Sequence, residues 1–208
     1  MELKQQRKEK VILSAIEIFK ETGIENSKLS AIAERAQVGI ASLYRYFKTK
    51  PELVIAAATK LWQQEITTLQ SDFNTDSYER LSGVNQINAL LNIFAKLYEE
   101  HQDFLRFIDE FDSYVLKEKL SEETLTGYEE NIINLKSIFT KAMLKGINDK
   151  TVRVDVDLDT FYFTATHSLM SLCQKLVLRG AILQSDKFIE GKEQLNLLIN
   201  MAIKFIEY

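Results

Sequence analysis

Apolar residues recur every three or four positions along almost all of this chain, and the residues that break helices are scarce. One Pro and seven Gly occur among 208 residues. A many-turned β-sandwich needs far more of both. The spacing therefore predicts an all-α fold. The first helix is marked by Val11, Ile12, Ala15, Ile16 and Phe19, with Gly23 placed as a left-handed stop. Ser27 reads as the N-cap of a short second helix with Leu29, Ile32, Ala33 and Ala36 on one stripe. After Gln37, Val38 and Gly39, a third short helix runs from Ile40 to Tyr46. Thr49-Lys50-Pro51-Glu52 reads as a capping box that opens a long fourth helix to about Leu69.

Residues Gln70 to Gly83 are polar and read as a loop. Five further helices follow by period: Val84–Glu100, Asp103–Lys119, one opened by Ser121 and stopped near Gly146, Asp157–Leu178, and about Phe188–Ile206. The expectation is about nine helices. Thr151 to Val156 alternates β-formers with charge and reads as an extended linker, since a lone strand has nothing to pair with.

Chemistry narrows the functional classes. A single Cys, Cys173, excludes an internal disulfide framework and a multi-Cys metal site. It reads as a buried hydrophobe, with a redox role left open. His101 and His167 are the two His, on different expected helices, and no HExxH, GxSxG, Walker or GxGxxG motif occurs. No catalytic residue, metal or cofactor is expected. Met1 to Lys10 lacks the apolar centre of a secretory signal. The longest uncharged stretch, Thr160 to Gln174, is too short and too polar to span a bilayer. No membrane partner and a cytoplasmic location are expected.

Charge is unevenly placed. The net charge is −4, yet residues 1–50 hold ten Lys/Arg against six Asp/Glu, leaving +4 there and −8 on residues 51–208. A basic end on an acidic body points that end toward nucleic acid. Lys4, Arg7, Lys8 and Lys10 open it, suited to following a DNA backbone, to entering the minor groove, or to a solvated helix start.

Two short helices joined by a three-residue turn and braced by a preceding helix describe a helix-turn-helix. A short helix enters the major groove only if its partner holds it at a steep angle. Leu29, Ile32, Ala33 and Ala36 give the second helix an apolar inner face. Gly39, Ala41 and Ser42 keep the start of the third small enough to approach bases, and Leu43 and Phe47 anchor it.

The stretch Leu29 to Leu53 resembles the DNA-binding domain of the TetR family of transcriptional regulators. Ile32-Ala33, Val38, Leu43-Tyr44, Tyr46-Phe47, Lys50 and Leu53 fall in register, and the resemblance covers roughly residues 5–66. It implies a DNA-binding domain over 1–50, with the helix-turn-helix at 28–47. Residues 51–208 would form an effector-binding and dimerisation domain. On the matching positions, Ser27 or Lys28 and Lys50 would meet phosphates. Gly39, Ile40, Ala41 and Ser42 would approach base edges, and Tyr44, Arg45, Tyr46 and Lys48 would face the duplex. The family's last two helices pair with a second copy in a four-helix bundle, so a homodimer reading a pseudo-palindromic DNA operator is implied. Its expected action is that of a repressor released by a small-molecule effector, with coupling through the fourth helix of about 1–3 kcal/mol. Two residues depart from the family's pattern: Gln37 stands at the turn glycine, and Ile40 where a polar residue is usual.

The remaining three-quarters of the chain carries ten of the twelve Phe, six of the eight Tyr and Trp62. Pockets between helices are built from such side chains. Trp62, Tyr98, Phe104, Phe107, Phe111, Tyr114, Tyr128, Tyr162, Phe163 and His167 are the candidates, with Asp109 as a carboxylate for a cationic effector. Each has an ordinary core reading beside it. An alternative for the whole chain is a small-molecule carrier whose DNA head has lost its use.

Overall fold

The computed structural model describes residues 2–71, 73, 75–132, 134–180 and 182–208. Among these the chain is all-α, with eleven α-helices, one 3-10 turn and no strand. They are α1 (Glu2–Thr22), α2 (Leu29–Arg35), α3 (Ile40–Tyr46), α4 (Lys50–Ser71), α5 (Asp76–Glu79), α6 (Gly83–Glu100), α7 (Gln102–Glu118), α8 (Glu122–Ile132), α9 (Asn134–Asn148), α10 (Leu158–Arg179) and α11 (Gly191–Ile206). The 3-10 turn is Gln184–Lys187.

Local signals set most helix ends. Gly23 stops α1 at φ +80°, and its N–H reaches the Phe19 carbonyl at 2.9 Å. Glu52 N–H donates to Thr49 Oγ1 at 3.3 Å, while the Glu52 carboxylate returns to Lys48 N–H at 2.9 Å. The capping box is therefore present, its second arm reaching one residue further back. Asp157 caps α10 by accepting from Thr160 N–H at 2.8 Å, and Ser121 accepts from Thr124 N–H at 3.3 Å.

Four expectations need correction. Ser27 does not cap α2. Its buried hydroxyl donates to the Ile24 carbonyl at 2.6 Å, and Lys28 holds the N-cap position with no side-chain bond. The polar stretch after α4 contains the single-turn helix α5, because Thr75 accepts from Tyr78 N–H at 3.2 Å and Tyr78 is buried. Where one helix was expected after Ser121, α8 and α9 follow one another, with residue 133 outside the described residues. The Thr151–Val156 segment does find a backbone partner. Val152 forms an isolated antiparallel bridge with Glu207, and Arg153 N–H donates to the Ile206 carbonyl at 2.9 Å.

Contacts divide the chain into two compact units. The first combines Met1–Ile66 with Phe107–Ile132. Its core holds Val11, Ala15, Phe19, Ile32, Leu43 and Phe111, each almost wholly removed from water. Burial on that scale is worth about 1.5–3 kcal/mol for each large side chain. The second unit combines Thr67–Arg106 with Ile133–Tyr208. Here α6 packs on α9, α10 and α11 around Ile87, Leu91, Leu169 and Leu195. The crossing of α6 and α9 requires glycine: a Cβ on Gly83 would stand 2.0 Å from Gly146 N. The start of α6 is capped from a distance. Asp149 Oδ2 accepts from Gly83 N–H at 2.8 Å and Thr151 Oγ1 from Val84 N–H at 3.1 Å. The Thr151 hydroxyl donates to Asp149 Oδ1 at 2.6 Å, and that bond, followed by the one from Gly83 N–H, holds the Asp149 carboxyl below its usual range.

Candidate nucleic-acid interface and effector region

The first unit builds the expected helix-turn-helix from the inside. Ile32, Ala33 and Ala36 of the first limb and Leu43 and Phe47 of the second are buried. The turn between them is closed by backbone bonds: Ala36 N–H to Ile32 O, Gln37 N–H to Glu34 O and Val38 N–H to Ala33 O, at 2.9 to 3.0 Å. Gln37 takes φ 55°, the left-handed conformation that the turn demands. Its Oε1 accepts from Lys10 Nζ at 2.7 Å, which ties the turn to α1. Arg35 forks onto Glu21 at 2.6 and 2.8 Å, so α2 is pinned to α1 as well. That bond holds the Glu21 carboxyl low and raises the guanidinium, on an exposed surface where salt screens it.

With its inner face fixed, α3 presents the other face to water. Ile40 is 43% exposed and Tyr44 50%, and Ala41, Arg45 and Lys48 are exposed. Ser42 and Tyr46 are half-buried, and Arg45 Nη2 donates to Ser42 Oγ at 2.8 Å. A Cβ added at Gly39 would meet nothing within 4 Å. Protein packing does not require the glycine there, so the space it leaves is open to an outside molecule. Lys28 is exposed at the start of α2. Two of the positions named from the sequence are occupied internally. Ser27 is buried, and the Lys50 amine donates to the carbonyls of Glu25 and Ser27 at 2.9 Å each. Desolvation lowers the Lys50 pKa despite the nearby Glu118 and Glu25. Lys50 thus closes the α1–α2 turn from the start of α4.

The same turn is held by α7. Glu110 Oε2 accepts from Ile24 N–H at 3.0 Å, and Lys117 Nζ pairs with Glu25 at 2.7 Å. Sequence reading missed both, because the partners lie 86 and 92 residues apart. Asp109, beside Glu110, is half-buried.

The aromatic candidates fall into separate groups. In the first unit, Trp62 Nε1 donates to Tyr128 Oη at 2.6 Å, and the Phe111 ring centroid lies 4.6 Å from that of Tyr128. Phe107 packs toward Phe19 at 6.3 Å, and Tyr114 is buried. Burial pushes the Tyr114 hydroxyl up to about 12 and raises Tyr128 further. In the second unit, Phe104 is buried, Tyr98 is half-buried beside Gly191, and Tyr162 meets the Phe139 ring edge at 5.2 Å. Phe163 and His167 stand exposed on the outside of α10, 5.6 Å apart, with Lys136 Nζ over the Phe163 ring. The core reading of His167 is thereby corrected. Cys173 is fully buried, its Sγ 3.3 Å from the Phe94 carbonyl, and burial pushes the thiol up to about 12. Such a thiol is a packing group rather than a nucleophile.

The second unit also holds an apolar groove of about 490 Å³ along α10 and α11, lined by Phe161, Ala165, Leu198, Met201 and Phe205 among others. Met201 and Phe205 stand 61% and 57% exposed there, which helix periodicity alone does not encode. No described helix is long and apolar enough to cross a membrane.

Residues 11–64 match the family described as bacterial regulatory proteins, tetR family. YvdT of Bacillus subtilis, an uncharacterised HTH-type transcriptional regulator, is 26% identical over 158 residues, covering 72% of this chain and 77% of its own. KstR of Mycolicibacterium smegmatis, an HTH-type transcriptional repressor, is 34% identical over 56 residues, covering 27% of this chain and 28% of its own. The curated relatives are spanned over 28% to 77% of their own lengths, the others at 44% and 32%. The crystal structure of the transcriptional regulator FadR from Bacillus subtilis, in complex with stearoyl-CoA, is similar at TM-score 0.60. It covers 93% of this chain and 96% of that one at 18% identity, a likeness of fold.

Proposed function

We propose, from the match of residues 11–64 to bacterial regulatory proteins of the tetR family, that the chain is a ligand-responsive repressor of that family that binds a pseudo-palindromic operator as a homodimer. One observation carries the reading. The outer face of α3 is exposed while its inner face is locked into the core by Leu43 and Phe47. A helix so braced is held rigid for the major groove, which is what base readout requires. Ile40 and Ala41 offer apolar contact to thymine methyls, Ser42 bonds to several bases, and Arg45 suits guanine. Lys28, Tyr44, Tyr46 and Lys48 donate to phosphates. In this reading residues 1–50 are the DNA-binding domain and residues 51–208 take up the effector and dimerise.

A single head gives weak selectivity, and two heads about 34–36 Å apart read a two-fold site. The uncovered face of α10 and α11 supplies the second copy's contact, forming a four-helix bundle. KstR is a repressor, which supports the sign of regulation. FadR was solved with stearoyl-CoA, and an apolar effector accords with the aromatic interior of this chain. A chromosomal regulator works in the cytoplasm.

The test is selection of sites from a random duplex library by the full chain, with dimer stoichiometry read by sedimentation. Recovery of a palindrome, weakened at defined base pairs by Ile40→Ala and uniformly by Tyr44→Ala, is the expected result. No enrichment by folded protein overturns it.

A further inference from the structure

We propose that the first two turns of α1 form a second DNA contact, a phosphate-binding ridge built from Lys4, Arg7 and Lys8 and set beside the C-terminal end of α3. The inference rests on the regulator reading and extends it to residues outside the helix-turn-helix.

Three observations place the ridge. The first is register. Val11 and Ala15 are fully buried, and Lys8 and Lys4 continue that stripe one and two turns toward the N-terminus. Side chains three and four apart share a helix face. The inward stripe of α1 therefore turns from apolar to cationic where the helix leaves the core, instead of rotating its charges to the solvent side.

The second is a contact. Lys8 Nζ lies 5.2 Å from the centroid of the Phe47 ring, and Phe47 is the residue that ends α3. Lys10 reaches the helix-turn-helix turn through Gln37. The basic stretch of α1 is thus moored to both ends of the recognition helix. Lys4 lies four residues beyond Lys8, about 6 Å further along the axis. In the helix-turn-helix docking mode, the flanks of the recognition helix meet the sugar-phosphate backbone.

The third is charge. Of the acids on α1 whose side chains are described, Glu9 is paired with Lys60, and Glu21 and Glu17 with Arg35. Among the described residues, Lys4, Arg7 and Lys8 have no carboxylate partner, and neither have Lys28, Arg45 and Lys48 on the helix-turn-helix. These cations stay un-neutralised while the described acids of α1 are paired, which is the charge pattern of a polyanion surface. Sequence-independent attraction is the chemistry such side chains supply.

The experiment uses the full chain and two duplexes, one carrying the selected site and one of unrelated sequence. The variant Lys4→Ala/Arg7→Ala removes two cations per head from exposed positions. The slope of log K against log salt should fall by about 0.9 for each lost contact, so about 1.8 per head and about 3.6 for a dimer using two heads. Both duplexes should show the change, and the selected sequence should stay the same. Lys4→Arg/Arg7→Lys should restore the slope. Lys20→Ala, at the far end of the same helix, should leave it unchanged. An unchanged slope in a variant that still binds overturns the ridge and leaves the regulator reading standing. A loss confined to A·T-flanked sites also overturns it, in favour of minor-groove base reading. Absence of binding to either duplex by the unmodified chain ends both readings.

Discussion

The amine of Lys10 donates to Oε1 of Gln37 at 2.7 Å, joining the first helix to the turn of the helix-turn-helix at a residue with φ 55°. A left-handed conformation costs a non-glycine residue about 1–2 kcal/mol. The exposed bond from Lys10 returns only a fraction of that, since contacts of this kind contribute about 0–1 kcal/mol. Gln37→Gly is therefore expected to stabilise the chain by about 0.5–1 kcal/mol after the entropy of a freer unfolded backbone is deducted. Gln37→Val, β-branched at the same φ, is expected to destabilise it by more than about 1 kcal/mol. Urea unfolding with an unchanged m-value checks both.

Glu110 gives a second expectation. Its carboxylate accepts from Ile24 N–H at 3.0 Å, in the turn that Lys50 and Lys117 also hold. Glu110→Ala leaves that amide without its acceptor, at a cost of about 1–3 kcal/mol. Amide exchange over residues 23–28 should quicken before the rest of the first unit is affected. Glu110→Gln, which keeps an acceptor, should retain most of the protection. Equal protection in the alanine variant would show that the turn stands without α7.

Two buried tyrosines set an alkaline limit. Burial pushes the hydroxyls of Tyr78 and Tyr114 up to about 12. The unfolded chain ionises near pH 10, so between about 10 and 12 the unfolded state binds fewer protons than the folded one. The stability that each contributes is complete below pH 10 and is lost as pH rises toward 12. Stability measured at pH 9 and 11 should fall, and Tyr114→Phe should flatten the decline. A parallel slope in that variant would remove Tyr114 from the account.

Leu197 and Met201 stand 62% and 61% exposed on α11, four residues apart and therefore on one face. If this face joins a second copy, Met201→Lys places a charge in an apolar contact, and such a charge is strongly disfavoured unless paired. Sedimentation should then show a monomer with unchanged helix content, and operator affinity should fall at least tenfold because two heads no longer act together. A monomer before the substitution, or a dimer after it, would point to another surface.

The sequence determined whatever depends on neighbours within a few positions. The helices of the head, the stop at Gly23 and the caps at Asp157 and Ser121 all follow from patterns three or four residues long. The inner faces of α2 and α3 were legible too, because an amphipathic stripe declares which side faces a core. The tertiary structure alone decided what meets at long range. Neighbouring Tyr162 and Phe163 are equally aromatic, yet one packs inside and the other stands in water. Ser27 has the chemistry of a cap and Lys50 that of a phosphate ligand, but Ser27 is turned onto the Ile24 carbonyl and Lys50 onto carbonyls 23 and 25 residues away. Trp62 and Tyr128 meet across 66 positions, and α6 takes its caps from Asp149 and Thr151, 66 and 67 residues away. Helix periodicity gives the direction in which a side chain leaves its own axis. Its partner is fixed only when packing brings other axes alongside, and no spacing within one helix encodes that.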